Sequence, residues 1–281
     1  MTVELTDEQL QEIKRIELNT LIAIKKICDK HNIRYFLAGG TLIGAVRHKG
    51  FIPWDDDIDI GMLRSDYDRF LSFSNELPQY ISLINYDTYP AFGEPFTKAI
   101  DNRTVFVQKF SRNVDVPQGV FIDIFPLDNV PDQKISRRIH QTKAYILRKL
   151  ILVKNGYSFP KDGAKKIAYA SLKLIAKGLT REKLQRAFLR NAIKYNTEQT
   201  NEIVNLGGNY GYEKESFPRS YVSKTVTLPF ENYKFSVPEA YDLYLKHIYG
   251  NYMELPPEEK RVAIHTLSAF SVNGVPKTTN E

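Results

Sequence analysis

The sequence predicts an α+β chain, and three observations predict it. A capped amphipathic helix opens the chain, short β-type apolar runs follow between glycines and aspartates, and helical periodicity takes over in a basic stretch after residue 133. At 281 residues, with 42% hydrophobic and 26% charged, the chain can form one large domain or two modest ones around a sizeable core. That balance excludes a disordered or collagen-like chain, and one cysteine excludes a disulfide scaffold. A lone Cys28 fits a reducing compartment. The opening MTVELTDEQL is polar and acidic, with no secretory signal, and the longest purely aliphatic run, Leu150 to Val153, is far below the roughly 20 residues that span a bilayer. The expectation is a soluble, cytoplasmic protein.

Thr6 followed by Gln9 forms a capping box, and Leu10, Ile13, Leu21, Ile24 and Cys28 recur at helical spacing up to a stop at Asn32. Cys28 on that stripe reads as a small buried apolar residue. Ile33 to Ala38 is a short β-type run ending in Gly39-Gly40, and Thr41 to Val46 reads as a short helix opening from those glycines. Asp55 to Ile60 forms an acidic segment that alternates charged and apolar residues from Asp57 onward. A helix is expected from Ser65, with Tyr67, Phe70 and Leu71 apolar, then strands at 80–86, 96–100, 105–110 and 120–127. In the basic stretch, Ile135, Ile139, Ile146 and Val153 lie near one helical face, and Ile167, Ser171, Leu174 and Ile175 on another, with 160–163 as a break. Gly207-Gly208 and many tyrosines mark a loop-rich section. Pro238 to Tyr249 reads as a helix with a proline in its first turn, and the end frays from about Asn273.

Charge is unevenly distributed. Lys134 to Lys194 carries 17 Lys/Arg against Asp162 and Glu182, a local +15, so with +6 overall the remainder carries −9. One region therefore calls for an anionic partner such as a membrane surface, a phosphorylated glycan or nucleic acid, unless it is simply a solvated face.

The sharpest chemical feature is Asp57-Ile58-Asp59. On a strand, residues i and i+2 share a face, so Asp57 and Asp59 stand side by side while Ile58 and Ile60 turn to the core. Paired carboxylates repel unless a cation relieves them, and hard oxygen ligands suit Mg²⁺. Alone, the pattern reads as a solvated acidic edge. Upstream, Gly39, Gly40 and Thr41 join a strand to a helix start, where backbone N–H groups can approach a phosphate; alone, this too is an ordinary tight turn. Arg47 and Lys49 add positive charge between the two features, Arg47 being suited to bidentate phosphate contact. Asp123, set among Val120, Phe121, Ile122 and Ile124, would be costly to bury unpartnered and reads as a third carboxylate for a second metal or for a proton. Asp128 reads as a turn residue.

Leu37 to Ile60, LAGGTLIGAVRHKGFIPWDDDIDI, resembles the signature of the LicD family, which includes bacterial phosphocholine transferases and fukutin-related proteins. The similarity continues through FIDIFPLD (Phe121–Asp128) and resumes in Phe230-Glu231, Val237-Pro238 and Tyr244–Arg261, leaving the basic segment least matched. The resemblance implies a nucleotidyltransferase-like fold, a small mixed sheet flanked by helices, with the basic helical region beside it. It implies Asp57, Asp59 and Asp123 as ligands of Mg²⁺ or Mn²⁺ and Gly39, Gly40 and Thr41 as the phosphate turn. Asp55 shares the strand parity, so an assignment shifted by two residues stays open.

The resemblance further implies a CDP-linked donor from which a phosphoalcohol, foremost phosphocholine of CDP-choline, passes to a hydroxyl of a cell-surface glycan or its lipid-linked precursor, releasing CMP. Lipopolysaccharide and teichoic acid are acceptors of that kind. A choline cargo calls for aromatic faces, for which Trp54, Tyr210, Tyr212 and Tyr221 are candidates; His265 reads as structural or as entering the site. Three units are expected: a catalytic core over 1–132, a basic helical region over 133–205, and a C-terminal portion over 206–281 packing back on the core. The basic helices would lie against an anionic membrane at its inner face or guide the acceptor. Competing expectations are a nucleotidyltransferase using a nucleoside triphosphate, and a non-catalytic nucleic-acid-binding protein. The latter is disfavoured by few aromatics for base stacking and by the acidic pair, so no nucleic-acid partner is expected.

Overall fold

The computed structural model describes residues 5–158, 164–263 and 265–275; of 164–168 only the backbone is described. In chain order the elements are α1 (Asp7–His31), β1 (Phe36–Leu37), α2 (Gly39–Arg47), β2 (Ile58–Leu63), α3 (Arg64–Ser72), β3 (Ile81–Ile84), β4 (Thr97–Asp101), β5 (Val105–Gln108) and β6 (Phe121–Val130). Then follow α4 (Lys134–Lys154), α5 (Ala164–Lys177), α6 (Arg181–Ala192), β7 (Glu202–Asn205), α7 (Tyr212–Glu215), β8 (Ser216–Pro218), β9 (Thr225–Phe230), β10 (Tyr233–Pro238), α8 (Tyr241–Tyr249) and β11 (Leu267–Ser271). The fold is α+β with mixed sheets. The expected break at 160–163, and the frayed end beyond 275, lie outside the described residues.

Local chemistry accounts for the first elements. Gln9 N–H donates to Thr6 Oγ1 at 3.2 Å and Thr6 N–H donates to Gln9 Oε1 at 2.9 Å, the reciprocal capping box. Asn32 closes α1 in the left-handed region (φ 51°), a conformation its short polar side chain tolerates. The next strand is only two residues long, because only Phe36 and Leu37 find partners, Gly61 and Ile60 on β2. The following helix opens earlier than expected, with both glycines in its first turn. The acidic strand opens later, at Ile58, leaving Asp57 just outside the ladder.

The main sheet runs β1-β2-β6-β4-β3, with β7 pairing β6 and β8 pairing β7. β6 is the axis. It runs parallel to β2 and antiparallel to β4 and β7, and all ten of its residues are buried. Asp128 is therefore not a turn residue. It sits inside β6 at 1% exposure, where the Arg64 guanidinium grips it through two bonds of 2.8 and 2.7 Å. The C-terminal part shares the core: β11 pairs with β5, and Phe230, Phe235 and Leu245 pack in one cluster with Leu37, Leu42 and Ile58.

The basic helices correct an expectation. Of the expected stripe, Val153 is buried but Ile135, Ile139 and Ile146 do not face the core; α4 buries His140, Ala144 and Ile151, spaced by four and seven residues on a different face, against α5 and α6. On α5 the inward residues are Tyr169, Leu172 and Ala176, while Ser171, Leu174 and Ile175 are exposed. Two apolar stripes compete for burial on α4, and the one with more small residues lets its neighbours approach. Among the described residues no helix is long and apolar enough to cross a membrane.

Candidate active site

β2 and β6 lie side by side in parallel register, and that register sets Asp59 directly opposite Asp123. Neighbouring strands are about 4.8 Å apart, so the two carboxylates share one face. Ile58, Ile60, Ile122 and Ile124, the residues that alternate with them, are fully buried on the other side. Asp57, two residues before Asp59, continues the acidic row. β4 brings Lys98 opposite Asp123 from the other flank, and its Nζ donates to Asp123 Oδ1 at 2.8 Å.

The start of α2 is clamped against this row. Ala38 N–H donates to Asp59 O at 2.9 Å, and Asp59 N–H donates to Thr41 Oγ1 at 2.8 Å. Thr41 is buried at 3% exposure, so its hydroxyl serves first to dock the helix on β2. Gly39 has φ +56°, and a Cβ there would collide with Asp59 Oδ2; one on Gly40 would lie 2.5 Å from Asp55 Oδ2. The backbone at Gly39 calls for glycine, and the absence of side chains at both positions lets the acids approach the helix start. Ala38 offers no capping side chain, so the N–H groups of Gly39, Gly40 and Thr41 have no intrahelical acceptor.

Charge here is poorly balanced. Asp55, Asp56 and Asp57 each offer a carboxylate oxygen within 4.8 Å of the others. Asp56 is already engaged, taking the His265 ring Nδ1 at 3.0 Å and its backbone N–H at 3.3 Å. His265 Nε2 also lies 3.9 Å from Asp57 Oδ2. Burial opposes the imidazolium, but the hydrogen bond to Asp56 and the charge of Asp57 outweigh it and raise the His265 pKa. Burial pushes Asp55 up to about 8, helped by Asp57 and Asp56, and Asp57 up to about 6 against the pull of His265. Asp59 is held well above the carboxylate range by burial and by Asp57, and Asp123 is raised by burial despite Lys98. Behind them Glu17, at 1% exposure, is also held well above its usual range by burial, and its Oε2 has no hydrogen-bond partner. Lys14, buried beside it, donates to Ile52 O and Pro53 O. Acids so placed fit a hard divalent cation, and the open N–H groups of α2 fit a phosphate oxygen beside it.

Other expected contacts go elsewhere. Arg47 is engaged away from the glycine turn: its Nη1 donates to Tyr252 O at 2.8 Å and Glu254 O at 3.2 Å, tying α2 to the C-terminal segment. Lys49 is exposed in a turn at φ 60°, where its carbonyl accepts from Glu231 N–H. Trp54, half-buried, lies edge-on to His48 with the Arg261 guanidinium 5.7 Å from its ring centre. Tyr210 stacks edge-on against Tyr249, and both rings feel the charge of Asp59. Tyr212 is apart from the acids, bonded through its hydroxyl to His140 Nδ1 at 2.6 Å.

Asp123 and His265 line a cavity of about 330 Å³ walled by Phe96, Phe106, Phe121 and Tyr157, with Lys98 and Arg148 inside. Arg148 is paired with Glu94 at 2.8 Å, and Lys98 Nζ sits 3.2 Å from the Phe121 ring centre. Sequence reading missed Glu17, Lys14, Lys98, Glu94 and Arg148. For Glu17 a signal exists: it falls four residues after Ile13 and four before Leu21, an acid on the apolar stripe of α1. Lys98 carries no such signal, since only the β4–β6 register brings it to Asp123.

Known proteins are similar to this chain in sequence. The family model described as LicD/FKTN/FKRP, nucleotidyltransferase domain, matches residues 32–166, the stretch that holds the glycine turn and every acid of the row. This defines the class, a nucleotidyltransferase-type domain. Over 265 residues the chain is 32% identical to the lipopolysaccharide cholinephosphotransferase LicD of Haemophilus influenzae, covering 93% of this chain and 97% of that protein. The ribitol 5-phosphate transferases FKRP of human and mouse are 45% identical over 40 residues, 14% of this chain and 8% of theirs. The chain belongs to the LicD family.

Proposed function

We propose that this protein is a Mg²⁺-dependent transferase that moves a phosphoalcohol, foremost phosphocholine from CDP-choline, onto a hydroxyl of a cell-surface glycan or its lipid-linked precursor. The observation that carries this reading is the pairing of Asp59 with Asp123 across β2 and β6 at the lip of the Gly39–Gly40 turn. Asp57 and Asp59, with Asp123, would hold the cation, Asp55 being the neighbour on the same parity. When bound, the cation supplies charge neutralisation of the donor diphosphate and of the in-line transition state. The N–H groups of Gly39, Gly40 and Thr41 bind a phosphate oxygen and fix the donor's position. The acceptor oxygen forms a bond to the phosphorus bearing the alcohol, the bridging P–O bond of the diphosphate breaks, CMP leaves with the electron pair, and Asp123 takes the hydroxyl proton. Lys98 orients that carboxylate.

The name of the Haemophilus relative, a cholinephosphotransferase, supports choline as the alcohol. The test is CMP release from CDP-choline with Mg²⁺, followed by mass spectrometry, with CDP-ribitol, CDP-glycerol and nucleoside triphosphates alongside. Asp57→Asn and Asp59→Asn are expected to lower release at least about a thousandfold while leaving the circular dichroism unchanged. Retained turnover in both variants, or pyrophosphate from a nucleoside triphosphate as the product, would contradict the proposal.

A further inference from the structure

We propose that α4, with α5 packed beside it, is a docking surface for an anionic phospholipid bilayer. The 21 residues of α4 contain no acid. One face is spent on folding, the His140, Ala144 and Ile151 side that meets α5 and α6. The opposite side presents Ile135 at 78%, Ile139 at 49% and Ile146 at 46% exposure, spaced by four and seven residues and hence on one line, with Tyr145 at 64% beside them. Isoleucines so exposed on a folded helix mark an interaction surface more than an accident of packing. Lys134, Arg138 and Lys143 are exposed around the line, and α5, also free of acids, adds Leu174 at 76% and exposed Lys173 and Lys177.

The combination decides the occupant. A row of isoleucines gives nothing to a nucleic-acid backbone, which is read by charge and by stacking rings, and a single exposed tyrosine is a poor platform. A second copy of the chain would set one +15 segment against another. An anionic lipid surface satisfies both halves, taking the hydrocarbon into the headgroup–acyl boundary and pairing the bases with lipid phosphates. The same surface leads to the acids. Arg138 and Tyr145 line a groove of about 600 Å³ between α4 and the 205–215 segment, and Arg148 lines both that groove and the cavity at Asp123. A lipid-borne acceptor would enter there, a consequence that rests on the proposed transfer reaction, whereas the docking itself does not.

The test is co-sedimentation of the full chain with vesicles of phosphatidylglycerol and phosphatidylcholine in equal parts, against phosphatidylcholine alone, in 50 mM and 500 mM salt. Binding to the anionic vesicles at low salt, at least tenfold weaker on the neutral ones and weakened by salt, is expected. The triple variant I135N/I139N/I146N should lower the partition coefficient about tenfold or more, and K134A/K143A/K173A about a hundredfold. Both should keep wild-type CMP release from soluble donor and an unchanged circular dichroism spectrum. Absence of vesicle binding, equal binding by the isoleucine variant, or capture of single-stranded RNA in preference to anionic vesicles would overturn the proposal. Loss of donor cleavage in the wild-type chain with vesicle binding intact would strike the transfer reaction alone.

Discussion

The acidic row on β2 and β6 and the basic helices α4–α6 break the same packing rule in opposite directions. The first buries carboxylates that water would solvate better: Asp57 is 9% and Asp123 8% exposed. The second leaves hydrocarbon in water, Ile135 above all. Neither departure helps the fold, and each fits one of the additions proposed above, a cation for the acids and a lipid surface for the helices. Unpaid physical costs locate function here better than any composition average does.

That comparison can be sharpened within the acids themselves. Asp128 differs from Asp59 in having a fixed guanidinium partner in Arg64. Asp128→Ala leaves Arg64 with only its longer contact to Asp68, 3.7 Å away, takes the acceptor from Asn196 Nδ2, and is expected to cost about 3 kcal/mol in urea unfolding. Asp59→Asn, by contrast, should not destabilise at all, because the amide replaces a buried carboxyl that its surroundings already disfavour as an anion; a large loss of stability there would mean that the row is structural. The next effect down concerns the turn. Gly39→Ala imposes a side chain at φ +56° and against Asp59, and is expected to cost about 1–3 kcal/mol together with most of the CMP release. Full activity in that variant would separate the glycines from the acids.

The smallest effect is a pH dependence confined to the acidic region. The carboxyls of Asp55 and Asp57 stand at about 8 and about 6 in the folded chain, against about 4 when unfolded. The folded state therefore holds extra protons at these two groups, and without cation their contribution to stability is fully present below about pH 4 and is lost as pH rises from about 4 to about 8. Mg²⁺ should accordingly raise the melting temperature more at pH 8 than at pH 5. Equal shifts at both values would show that the cation binds elsewhere.

Much of this was legible in the residues, for identifiable reasons. Capping at Thr6 and Gln9 and strand alternation around Asp57, Ile58 and Asp59 are local physics, written in adjacent letters. The pairing of Asp59 with Asp123 follows from the parallel β2–β6 register, and the arrival of Lys98 from the antiparallel β4–β6 register, neither of which a local pattern encodes. The α4 stripe was legible but ambiguous. Periodicity marks an apolar face without saying what covers it, and here the covered face is the one built around Ala144 and His140. Arg47 illustrates another limit: a guanidinium near a phosphate turn in sequence reached instead for two carbonyls from the far end of the chain.

The claim on which the rest depends is that a divalent cation sits among Asp57, Asp59 and Asp123 beside the Gly39–Gly40 turn. The most direct measurement is the anomalous difference density of crystals grown with Mn²⁺ and CDP-choline. The account predicts a peak bridging the Asp59 and Asp123 carboxylates with the donor diphosphate against the first turn of α2. A peak held only by Asp55 and Asp56, or a diphosphate bound away from that turn, would contradict it.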